Sequence, residues 1–146
     1  MSNAVQFHRI LCAPADRIYR AFLDPRAKCK WLPPHGFVGE VQHLDARVGG
    51  TYHMTFTNLG TGQSHGFGGT FTELVPNERI RYVDRFDDAN MPAEMTITVS
   101  LRPVLCGTEV TIVQENLPAQ MPVEFCQLGW QQSLGLLAQL VEADVR

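Results

Sequence analysis

The sequence predicts an α+β fold in which a curved, seven-stranded antiparallel sheet wraps around one long C-terminal helix, with two short helices after the first strand. Three observations lead there. Hydrophobicity alternates with a period of two through the middle of the chain, helical spacing is confined to a stretch near each end, and most strands have one richer apolar face. A one-sided sheet needs a cover, and the last helix is the element left to supply it.

Taken in order, Val5 to Leu11 alternates imperfectly and runs into Ala13-Pro14, where the fixed φ of proline suits a helix start. From Pro14 to Leu23, Ile18, Ala21 and Phe22 share one face, and Asp16 lies in the first turn, where the helix dipole favours it. Asp24-Pro25 repeats the cap-then-proline signal and opens a second short helix that carries Cys29 and Trp31 and ends at Pro33-Pro34. Six strands follow, over roughly 37 to 44, 50 to 58, 65 to 75, 79 to 86, 93 to 102 and 108 to 115, with Gly, Asn and Pro clusters at the corners. Pro122 then suits the start of a helix whose stripe is Cys126, Trp130, Leu134, Leu137 and Val141.

Composition narrows the function classes. A chain of 146 residues, 45% hydrophobic and 18% charged, fits one domain over residues 1–146 with no repeat or linker. A formal net charge of −3 gives no basic field for nucleic acid or an anionic membrane surface. No apolar run reaches the length of a spanning helix, so membrane insertion is not expected. Cys12, Cys29, Cys106 and Cys126 form no C-x-x-C pair, and the N-terminus carries no secretory apolar run, which points to reduced thiols and a cytoplasmic address. His8, His35, His43, His53 and His65 are scattered without ligand spacing, so neither a metal nor another cofactor is expected; His53 and His65 meet only if their strands pair in register. Nucleophile elbow, phosphate loop and H-E-x-x-H are all absent, and no catalytic residue is assigned.

Two polar residues break the pattern. Alternation with Ile80, Tyr82 and Phe86 sends Asp84 to the apolar face, and alternation with Val110 and Ile112 does the same to Gln114. A carboxylate there must be paired, hydrogen-bonded, protonated or solvated within a cavity; the plainer alternative is a strand end or bulge that water reaches. The last helix adds a second puzzle, because Gly129 and Gly135 each cost about 1 kcal/mol relative to alanine inside a helix. Close packing against the sheet is the favoured account and spare volume the alternative. Trp130 divides the same way, between core anchor and pocket wall.

The order of elements is a helix-grip layout, and particular residues extend the likeness. Ala13-Pro14 with Ile18-Tyr19-Arg20-Ala21-Phe22, Asp24-Pro25, Trp31 with Pro33, Val48-Gly49-Gly50 with Tyr52, Glu73-Leu74 with Pro76 and Glu78-Arg79-Ile80, Gly107-Thr108-Glu109-Val110-Thr111, and Gly129-Trp130 with Leu134 and Leu137 stand in a familiar sequence. Over about residues 6 to 142 the chain resembles the family named for the activator of the heat-shock-protein-90 ATPase, within the START-related and polyketide cyclase superfamily. The resemblance implies an interior cavity between sheet and C-terminal helix for an apolar molecule. The family's eponymous co-chaperone has a separate N-terminal domain, for which this length leaves no room, so a chaperone partner is disfavoured.

The expectation is therefore a small binding protein for an unidentified apolar or amphipathic molecule. Trp31, Phe37, Met54, Phe67, Tyr82, Met95 and Trp130 would line the pocket, and Asp84 and Gln114 would orient the ligand. Two alternatives stand beside it: a cavity enzyme of cyclase or hydrolase type using Asp84, Glu94 or Glu115, and a protein-interaction module with a filled core. An exposed edge strand leaves a homodimer open.

Overall fold

The computed structural model describes residues 4–144. They form β1 (Ala4–Leu11), α1 (Ala15–Leu23), α2 (Pro25–Trp31), β2 (Phe37–Leu44), β3 (Thr51–Asn58), β4 (Ser64–Val75), β5 (Arg79–Phe86), β6 (Met95–Val104), β7 (Gly107–Glu115) and α3 (Val123–Val141). All strands join one antiparallel sheet in the order β1-β7-β6-β5-β4-β3-β2. After β1 the chain crosses through α1 and α2 to the opposite edge, then returns by successive hairpins until β7 pairs with β1 from Ala4↔Glu115 to Leu11↔Thr108. This is the helix-grip α+β architecture that the periodicity predicts.

Local chemistry sets the joints. Asp24 ends α1 and caps α2 at once: its Oδ1 accepts the backbone N–H groups of Arg26 at 2.8 Å and Ala27 at 3.2 Å, and Pro25 fills the first helical position. Those hydrogen bonds, the one from Ala27 foremost, hold the carboxyl below its ordinary range. Trp31 ties the two short helices together, its indole N–H donating to the Ala21 carbonyl at 2.8 Å and its ring meeting Phe22 edge-on at 4.7 Å. Between β4 and β5 the chain turns through Asn77 at φ 64°, a left-handed geometry that asparagine tolerates better than most residues.

The sheet's inner face and α3 enclose the core. Leu11, Ile18, Phe22, Trp31, Met54, Phe71, Ile80, Val99, Ile112 and Leu137 are almost fully buried in it. The two ends of α3 are held differently. At its C-terminus Arg17 donates to the Val141 carbonyl at 2.8 Å, and the Glu142 carboxylate accepts the Cys12 N–H at 2.9 Å. At its N-terminus Pro122 offers no side-chain cap, and Phe125 and Leu128 are exposed. Between these ends, Ser133 Oγ donates to the Leu32 carbonyl at 2.6 Å and Gln132 Oε1 accepts the His35 N–H at 3.0 Å, fastening α3 to the segment after α2.

Candidate functional site

Where the first half of α3 stands away from the sheet, a cavity of about 820 Å³ opens between them. Its deep end is formed by Lys28 of α2, Tyr52 of β3, and Tyr82 and Asp84 of β5. Its flank is formed by Met95, Ile97, Gln114 and Trp130, and its outer end by Pro34, His35, Phe37, Phe125 and Leu128. Phe37, Phe56, Phe67 and Phe86 surround the His65 ring there, with centroids 5.8 to 6.4 Å away. His65 remains exposed on its outer side, and its partial burial against these rings holds the imidazole below its ordinary pKa.

Asp84 is 9% exposed, and its Oδ1 accepts the Tyr52 hydroxyl at 2.6 Å. Burial pushes its carboxyl up to about 6, against the opposing pull of the Tyr52 hydrogen bond, the Lys28 charge and the Arg85 backbone N–H. Lys28 is 1% exposed, with Nζ lying 5.1 Å from the Tyr52 ring centroid and 5.2 Å from that of Tyr82. Burial lowers its ammonium to about 8, and Asp84 restrains the fall. Two aromatic faces and one carboxylate thus partly replace the water an ammonium ordinarily keeps. Burial also raises both tyrosines above the ordinary phenol value, with Asp84 adding to the rise, so they remain protonated donors at neutral pH.

Gln114 sits in a second polar knot. Its Oε1 accepts the Trp130 indole N–H at 2.6 Å and the Cys126 thiol at 3.4 Å, while Nε2 donates to Met95 Sδ at 3.1 Å. Burial pushes the Cys126 thiol up to about 11, which leaves it unreactive at neutral pH. Trp130 therefore does both jobs weighed for it: its N–H is satisfied inside the fold, its ring lies 6.2 Å from Phe7, and it also lines the cavity.

Of the residues singled out from sequence, Phe37, Phe67, Tyr82, Asp84, Met95, Gln114 and Trp130 meet around this one space. Trp31 and Met54 do not reach it. Both lie in the packed core with no exposed surface, Trp31 because its indole is turned toward α1. Glu94 and Glu115 are exposed and lie off the cavity wall, Glu94 facing Arg85 at 3.8 Å, so neither can serve chemistry inside it. The glycines also correct the favoured account: a Cβ at Gly129 or Gly135 would meet no atom within 4 Å beyond the helix backbone and chain neighbours, so close packing explains neither. Gly129 lines the cavity; Gly135 has no assigned purpose in the structure.

Lys28 escaped the sequence reading. The available signal was its three-residue spacing from Trp31, which puts both on the buried face of α2. His53 and His65 do not meet, because the β3–β4 register sets His65 against Phe56 and His53 against Gly68. His53 belongs to an outer concavity of about 730 Å³, where Nε2 contacts Asp87 Oδ2 at 2.7 Å and Nδ1 contacts Gln42 Oε1 at 2.8 Å. Among the described residues no group of three His, Cys, Asp or Glu side chains could hold a metal, and no helix is long and apolar enough to cross a membrane.

Known proteins share this arrangement of chain. The model of the family described as "Activator of Hsp90 ATPase homolog 1-like protein" matches residues 12–142. A Chromobacterium violaceum protein of known crystal structure is 58% identical, covers 97% of this chain and 99% of its own, and superimposes with a TM-score of 0.96. A Nitrosomonas europaea protein is 20% identical, with 95% and 94% covered and a TM-score of 0.79. A Rhodobacter sphaeroides protein is 18% identical, with 95% and 91% covered and a TM-score of 0.83, and these last two share the fold alone. No curated protein matches the chain.

Proposed function

The chain belongs to the Activator of Hsp90 ATPase homolog 1-like family, and from that premise we propose that it is a small cytoplasmic binding protein, a single helix-grip domain over residues 1–146, that takes an apolar or amphipathic small molecule between sheet and C-terminal helix. The observation that carries this reading is the cavity of about 820 Å³. That volume lies within the roughly 300–1,000 Å³ typical of small-molecule sites, and a mostly apolar wall with a few convergent polar groups is their usual chemistry. An open interior supports a ligand over the protein-interaction reading, for which a filled core would be the natural design. The four cysteines are free thiols, in keeping with a reducing compartment.

The experiment is thermal unfolding of the full chain against a library of apolar and amphipathic metabolites, with Phe125→Ala and Trp130→Ala in parallel. A ligand at 100 times its Kd adds about 2.7 kcal/mol of stability, an easily seen shift. Phe125 is 71% exposed, so its truncation spares the core. A hit weakened in that variant supports a site beside the start of α3. A library without hits, together with unchanged unfolding of Phe125→Ala, sinks the proposal.

A further inference from the structure

We propose that the deep end of the cavity is an enolising site for an uncharged ketone or aldehyde with an apolar body, in which the Lys28 ammonium donates to the carbonyl oxygen and the Asp84 carboxylate takes a proton from the adjacent carbon. It rests on the cavity reading above and adds a substrate class and an activity to it.

Charge balance carries the first step. Lys28 and Asp84 line the same closed end, both almost fully buried, one bearing a positive and the other a negative charge at neutral pH. A carboxylic acid entering as its anion meets Lys28 favourably and Asp84 unfavourably; an amine entering as its cation meets the reverse. A neutral head group with an acceptor atom beside a transferable proton matches both at once, and a carbonyl with its neighbouring C–H is such a group. The aromatic and thioether walls formed by Tyr82, Phe67, Phe86 and Met95 suit the apolar remainder.

Stability gives little reason to keep the pair. Buried charges are often replaceable by apolar residues at no cost, and here Lys28 and Asp84 attract each other only at a distance, without a direct salt bridge, while both border the cavity. Burial has instead moved the two groups toward neutrality, which makes the carboxylate a stronger base than an exposed aspartate. Tyr52 holds that carboxylate through the 2.6 Å hydrogen bond to Oδ1.

The step balances without any co-reactant. The C–H bond next to the carbonyl breaks and an O–H bond forms on Asp84. The electron pair moves through the new C=C bond onto the carbonyl oxygen, where the Lys28 ammonium stabilises the enolate. Return of the same proton, or of one exchanged with solvent, regenerates the ketone and the carboxylate.

The test uses methyl hexyl ketone, the corresponding secondary alcohol, octanoic acid and octylamine, each with the purified full chain. Binding is followed by thermal unfolding, and exchange of the ketone's α-protons in deuterium oxide by nuclear magnetic resonance. The expected result is that the ketone binds at least about tenfold more tightly than the acid or amine, a difference of about 1.4 kcal/mol. Its exchange should also run on the order of a hundredfold faster than with Asp84→Asn. Lys28→Met should lose the acceleration as well, while Lys30→Met, at an exposed lysine on the same helix, should keep it. Asn keeps the shape of Asp, so a single cooperative melting transition of Asp84→Asn above the assay temperature, even at a lowered midpoint, separates lost chemistry from lost fold. Ketone binding without exchange above the Asp84→Asn level overturns the proposal. Equal or tighter binding of the acid or amine also overturns it, and leaves the cavity reading standing. If none of the four binds while the metabolite library gives hits, the carbonyl assignment alone is overturned; if the library is silent as well, both readings fall.

Discussion

The two halves of α3 face the same sheet and end in different surroundings. Its C-terminal half buries Leu134, Leu137, Ala138 and Val141 against the main core and is tied down by Arg17 and Glu142. Its N-terminal half leaves Phe125 and Leu128 exposed and turns Cys126, Gly129 and Trp130 toward an open cavity. One helix thus serves as structural anchor at one end and as the wall of a cavity at the other. Apolar side chains do not by themselves make core: Leu128 and Leu137 stand nine residues apart, half a turn out of phase, so Leu137 falls on the buried stripe and Leu128 on the exposed side.

The largest test of that contrast is truncation. Leu137→Ala, at a site with no exposed surface, should cost about 2–5 kcal/mol in urea unfolding. Leu128→Ala, at 52% exposure, should stay within about 0.5 kcal/mol. Equal losses would mean that the first half of α3 is core after all.

Next comes pH, which reads the cavity's deep end. Asp84 keeps its proton to about 6 in the fold against an ordinary 3.8, so the folded state binds more protons than the unfolded between these values and stability falls as pH rises through them. Lys28 loses its proton near 8 in the fold against an ordinary 10.5, so the unfolded state binds more protons there and stability rises again. Unfolding free energy should therefore pass through a minimum between about 6 and about 8, with each flank on the order of 3 kcal/mol. The double variant Lys28→Met/Asp84→Asn should flatten both flanks. A minimum that persists in it would assign the dependence to other groups.

The smallest effects sharpen the comparison most. Gly129→Ala and Gly135→Ala each place a methyl group in open space and should each stabilise the helix by up to about 1 kcal/mol. They should differ in binding: Gly129→Ala narrows the cavity and weakens any ligand found by thermal unfolding, whereas Gly135→Ala leaves it unchanged.

Much of this was legible in the sequence. Alternation placed the strands within about two residues of those observed, the largest differences falling at the ends of β6, where the ladder runs from Met95 to Val104 and not from residue 93 to 102. A period of two over the eight residues of β5 and the nine of β7 also indicated the inward turn of Asp84 and Gln114, although a strand end or bulge reached by water was the plainer account, and both side chains are buried. Lys28 was hidden because α2 has only seven residues, too few for a period to declare itself, and because a lysine is ordinarily exposed. Its burial depends on tyrosines from β3 and β5 arriving beneath it, which no local pattern records. Trp31 and Met54 failed as wall residues for a related reason: hydrophobicity tells which side of a strand or helix is inside, and not how far from the axis of the fold the neighbouring atoms stop.

The missing side-chain cap at Pro122 also bears on time. The start of α3 has no side-chain cap and is held only by the Phe125 and Cys126 amides donating to the Pro122 carbonyl, while the far end of the helix is clamped to β1 and α1. Fraying should therefore be directional, with the amides of residues 123–129 exchanging with solvent deuterium faster than those of 134–141. A molecule entering beside Phe125 would meet the end of the helix that frays first, on a scale of nanoseconds to microseconds, and not a slower movement of the whole sheet. Entry would then be fast for any ligand that fits, and residence would depend on how well the deep end holds it.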